Sequence, residues 1–69
     1  MEIINSSRNF ANVSFNRDEL LVLNSALNEI CNGLDMFEFE TRIGADREFV
    51  ASLLRKIGLL LDNMDCQSN

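Results

Sequence analysis

The chain of 69 residues contains no histidine, and with it goes the commonest general base and metal ligand. Two cysteines are too few for the disulfide framework of a secreted mini-domain, and Cys31 and Cys66 have no zinc-ligand spacing. Cys31 falls on an apolar helical stripe and reads as a core residue; Cys66 sits in a polar tail and reads as an exposed thiol. No apolar run approaches the ~20 residues that span a bilayer. The first residues, MEIINSSRNF, lack the basic start and apolar stretch of a signal peptide, so the expected location is cytoplasmic and off the membrane. Only three glycines are present, none in a phosphate-binding loop. Glu38 and Glu40 alternate on a short helix and form no dyad. Ser6, Ser7, Ser14, Ser25 and Ser52 have no activating base nearby in sequence. The expectation is a non-enzyme that uses no cofactor and no metal.

Positive charge is also scarce. Six basic residues face eleven acidic ones, for a formal net charge of -5. Duplex nucleic acid and anionic lipid repel such a chain on average, and a basic or apolar protein face is the easier partner. At 46% hydrophobic and 25% charged the composition is that of a folded domain. A chain of this length builds one small core, for which association is one common remedy.

What is present is mostly helical. Residues 1–15 show no helical period and read as an N-terminal arm that packs Phe10, Val13 or Phe15 onto the helices or crosses to a second copy. A first helix is expected over 17–32. Asn16 caps it, Glu19 completes a capping box, and Phe15 and Leu20 are placed as a hydrophobic staple. Leu20, Leu23, Leu27, Ile30, Cys31 and Leu34 form its stripe, and Gly33 stops it. A second helix over 36–43 is expected to start on Asp35 and Glu38, to carry a stripe of Met36, Phe39 and Ile43, and to end at Gly44. Glu38 and Arg42 are spaced to pair on its outside. A third helix over 47–63 begins after Asp46. Its stripe runs from Phe49 and Val50 through Leu53, Leu54, Ile57, Leu60 and Leu61 to Met64, with Gly58 marking a kink or a close approach. Asp62 and Asp65 stand against the helix dipole, so the last turn is expected to fray. The expected fold is therefore an all-α three-helix domain over 16–64 with an arm at 1–15 and a disordered tail at 65–69. Its core is drawn from Leu20, Leu23, Leu27, Ile30, Phe39, Ile43, Val50, Leu53, Ile57 and Leu61.

Phe39, Ile43, Gly44, Asp46, Val50 and Leu53 fall at the spacing of a helix–turn–helix corner. Residues 39–57 resemble the bihelical core of helix-turn-helix proteins, under a third of the chain. That resemblance implies a dimeric DNA-binding regulator with Arg47, Ser52, Arg55 and Lys56 as contacts. Two departures oppose it. Glu40 stands where the family usually buries a small residue, and Asp46 and Glu48 bring carboxylates to the surface that would meet phosphates.

The leading functional expectation is a small acidic protein-interaction module: a regulator, adaptor or inhibitor of the immunity type. Off-stripe Leu21 and Val22 would anchor the partner, and Glu38, Glu40, Asp46 and Glu48 would supply electrostatic complementarity. A homodimer through the long helices and a structural subunit of a larger assembly complete the alternatives.

Overall fold

The computed structural model describes residues 1–66; the side chain of Met36 and residues 67–69 of the expected tail lie outside the described residues. The order of elements is β1 (Glu2–Ser6), β2 (Ala11–Ser14), α1 (Arg17–Gly33), α2 (Met36–Ile43) and α3 (Arg47–Cys66). The chain is mostly helical but not purely all-α, because the N-terminal arm folds into an antiparallel hairpin.

The hairpin owes its irregularity to Ile4. Glu2 faces Ser14 and Ile3 faces Val13, but Asn5 faces Asn12, so Ile4 is an extra residue on β1. Such a bulge bends its strand and interrupts the two-residue alternation. At the tip, the Ser7 N–H donates to the Phe10 carbonyl at 2.7 Å, and no turn residue has positive φ. Asn12 Nδ2 donates across the strands to Asn5 Oδ1 at 2.7 Å. The strands pair with each other and neither lies along a helix. Phe10, expected to pack inward, is 79% exposed; Val13 and Phe15 are half-buried.

Helix α1 begins as its sequence dictates. The Glu19 N–H donates to Asn16 Oδ1 at 2.9 Å, and the Asn16 N–H donates to Glu19 Oε1 at 3.0 Å, a complete capping box. Its end differs from expectation. Gly33 remains helical without a left-handed backbone, and Leu34 closes the helix in extended conformation with its N–H on the Ile30 carbonyl. The start of α2 also differs. The Asp35 side chain makes no capping bond, and the Glu38 N–H takes the Asp35 backbone carbonyl instead. Glu38 turns outward to Arg42, the i,i+4 pair the spacing implies. Gly44, at φ 85°, terminates α2 in the left-handed region that suits glycine. Asp46 then caps α3, its Oδ1 accepting from the Phe49 N–H at 2.7 Å.

The long helices run antiparallel. Arg17 at the start of α1 pairs with Asp65 at the end of α3, while Cys31 near the end of α1 clusters with Val50 near the start of α3. The last turn of α3 is therefore held, and helix continues through Asp65 and Cys66 instead of ending at 63. Phe39 of α2, 1% exposed, plugs the angle between α1 and α3 against Cys31 and Val50. Leu20 and Leu61 complete the buried hydrophobic set. Leu27, Ile30, Ile43 and Ile57 of the expected core are half-buried. Leu23 and Leu53 are exposed, as is Phe49, because eight-residue α2 covers only one side of the α1–α3 pair. The result is a plate of 44 × 30 × 16 Å.

Candidate interaction surface at the α2–α3 corner

Two depressions flank α2 near the tight turn at Gly44, one bordered mainly by acids and one by an ion pair. On one side, Glu40 of α2 and Asp46, Arg47 and Glu48 at the start of α3 border a shallow depression of about 280 Å³ with Phe39 at its base. Three carboxylates thus surround one guanidinium. Glu40 points into solvent, which resolves the cost of burying a carboxylate where the helix-turn-helix pattern wants a small residue. Asp46 is partly occupied by its cap, leaving Glu40 and Glu48 with the more available charge.

On the other side, Phe37, Glu38, Thr41 and Arg42 line a wider depression of about 450 Å³. Phe37 is 93% exposed, the most exposed of the large apolar side chains, and stands beside the Glu38–Arg42 pair, whose charged atoms are 3.5 Å apart. An aromatic ring left in water beside charged groups is a common binding anchor. Phe37 is the residue that sequence reasoning missed. Its signal was its place on α2 opposite Phe39 and Ile43, a face that a purely structural helix would fill with polar residues.

The six residues expected to meet a partner do not form one surface. Glu40, Asp46 and Glu48 gather at the corner, while Glu38 lies on the other side of α2 beside Arg42. Leu21 and Val22 are exposed, but they belong to the opposite end of α1, near the Arg17–Asp65 pair. From Val22 to Cys31, where α1 meets Phe39, the helix rises about 14 Å.

The expected nucleic-acid contacts are also divided. Arg47, Arg55 and Lys56 are exposed and Ser52 is half-buried. Arg42 is paired with Glu38, and Arg47 lies among Glu40, Asp46 and Glu48.

At the other end of the molecule, Glu19 joins three pieces of backbone. Its Oε1 accepts from Asn16, its Oε2 accepts from the Met1 amine, and its own N–H completes the cap. The Met1 ammonium, and after it the Asn16 N–H, hold the Glu19 carboxyl below its ordinary value. Among the described residues no group of three or more acidic or thiol side chains could hold a metal ion, and no helix is long and apolar enough to cross a membrane. No protein-family model matches the chain, and no curated protein or solved structure matches it either.

Proposed function

We propose that the chain is a small acidic protein-interaction module, a regulator, adaptor or inhibitor that engages another protein through the α2–α3 corner. The observation that carries this reading is Phe37, an aromatic side chain standing almost wholly in water with Glu38 beside it and Glu40 and Glu48 on the adjoining patch. A partner with an apolar socket ringed by lysine or arginine fits that chemistry. Burial of the ring supplies affinity, and the carboxylates raise the encounter rate and orient the approach. Leu21 and Val22 lie outside this surface and are dropped from the contact set.

The test is capture from a lysate of the native host at two salt concentrations, using the wild-type chain, Phe37→Ala, and a triple Glu38→Gln, Glu40→Gln, Glu48→Gln variant. A partner held by the wild type should be lost with Phe37→Ala and should lose its salt dependence with the triple variant. Equal capture by all three chains removes the corner from the account.

DNA binding through α3 is the weaker reading. Arg55 and Lys56 are exposed and, among the described residues, form no ion pair, which is all that favours it. Two free cations give little counterion release. A mobility shift at low salt over random duplexes separates the readings, since only the DNA-binding one produces a retarded band.

A further inference from the structure

We infer that the open face of the α1–α3 pair is the seat of a second copy of this chain, packed helix layer on helix layer. This goes beyond the corner interaction and does not depend on it, because the two surfaces use different residues.

The face follows from helical geometry. Leu23, Leu27 and Ile30 lie on one side of the α1 stripe, and Leu53, Ile57 and Leu60 on one side of the α3 stripe, at the 3.6-residue spacing. Because α1 and α3 are antiparallel, these two sides point the same way. Leu27 and Ile30 still reach the cluster around Phe39 of α2, as Ala51 and Leu54 do, so the uncovered part of the face is Leu23, Leu53 and Leu60. Leu23, Leu53 and Leu60 are 37%, 43% and 46% exposed, and Phe49 extends the stripe at one end.

Three observations choose the occupant. First, the chain carries eleven carboxylates, yet the face has none along the span from Leu23 and Phe49 onward; Lys56 is its charged residue. Glu19, at its margin, is folded back onto Asn16 and the Met1 amine. An acidic chain approaches its own copy at least cost through a face without acids. Second, eight-residue α2 is an incomplete layer over the α1–α3 pair, whereas stable domains stack full layers on one another. The plate is 16 Å thick, and just five hydrophobic side chains among the described residues are buried. Third, the accessible surface is 5803 Å², whereas a compact monomer of 7.8 kDa exposes about 4,400 Å². The radius of gyration is likewise 13.9 Å against about 11 Å for a compact chain of this length. The surplus area exceeds the roughly 800 Å² that each partner contributes to a standard interface. The projecting hairpin accounts for part of it and the bare helix face for the rest. A two-fold axis through the face lays Leu53 and Leu60 of each copy against their counterparts and closes the assembly at two.

The experiment is sedimentation of the full chain, wild type and variants, with far-ultraviolet circular dichroism as the check on folding. The wild type should sediment at twice the chain mass at micromolar concentration. Leu53→Glu with Leu60→Glu should sediment as a monomer, while Leu59→Glu, exposed about 100° around α3 from Leu60 and off the stripe, should leave the dimer intact. A second probe guards against unfolding of the double variant. The chain lacks tryptophan, so Leu60→Trp gives a clean emission signal, which should shift to the red on dilution at constant helicity. A Trp at Leu59 should not shift. A wild-type monomer at all concentrations overturns the inference. So does a dimer that survives Leu53→Glu with Leu60→Glu but is lost with Ile3→Asn and Ile4→Asn, which would place the contact on the hairpin. A Leu60→Trp emission independent of dilution overturns it as well.

Discussion

Arg17 Nε donates to Asp65 Oδ1 at 3.1 Å, joining the first residue of α1 to the last turn of α3 across the length of the sequence. Both side chains are about half exposed, so the pair is worth at most about 1 kcal/mol. Its structural effect is local, since it offsets an acid at the negative end of the α3 dipole. Arg17→Ala should lower the melting temperature by a few degrees in low salt and by less at high salt. A double-mutant cycle with Asp65→Asn measures the coupling, and zero coupling would leave the order of the last α3 turn without a cause.

Glu19 gives the chain an acid-sensitive joint. Its folded pKa is depressed, so its stabilising contribution is complete above the ordinary value of 4.5 and disappears as the pH falls through the lower folded value. Denaturation midpoints measured from neutral pH downward should fall in that acid window, and Glu19→Gln should remove part of the slope. Asn16→Ala removes the reciprocal half of the cap and should cost about 1 kcal/mol at any pH.

Two glycines should respond in opposite directions. Gly44 holds φ 85°, so Gly44→Ala forces a side chain into left-handed backbone at a cost of roughly 1–2 kcal/mol. Gly58 was expected to mark a kink or a close approach. A Cβ there meets nothing within 4 Å, and the residue lies within continuous helix. Gly58→Ala should therefore stabilise the chain by about 0.5–1 kcal/mol. Parallel urea titrations of both variants test the contrast; loss of stability in Gly58→Ala would mean that the helix needs flexibility there.

Phe39 is the one aromatic side chain on which all three helices converge. Phe39→Ala should cost about 3–5 kcal/mol, a large share of what a small domain possesses. Leu23→Ala, at an exposed position of the expected core, should cost far less in the monomer. Equal costs in dilute solution would mean that Leu23 is covered even there.

The sequence carried the helices because their signals are local. The Asn16–Glu19 box and the left-handed Gly44 act within one turn, and each boundary they imply is met to within a residue. The hairpin was hidden for an equally local reason. Ile3 and Ile4 stand side by side because Ile4 is the bulge, so the strand never shows a clean alternation, and its turn lacks the glycine that usually announces one. Periodicity also overstated the core. It gives the breadth of an apolar stripe but not how much of it a neighbour covers, and α2 is too short to reach Leu53 or Leu23. At the corner, the acids were legible as charge, whereas their separation from Leu21 and Val22 depended on the antiparallel pairing of the long helices.

Cys31 is buried against Phe39 and Val50, while Cys66 is exposed at the far end of α3. A thiol-modifying reagent therefore meets two sulfurs on very different clocks. The fast one reports nothing but the reagent, and the slow one ticks each time the Phe39 plug lifts. The molecule thus carries its own internal standard for how often its interior breathes.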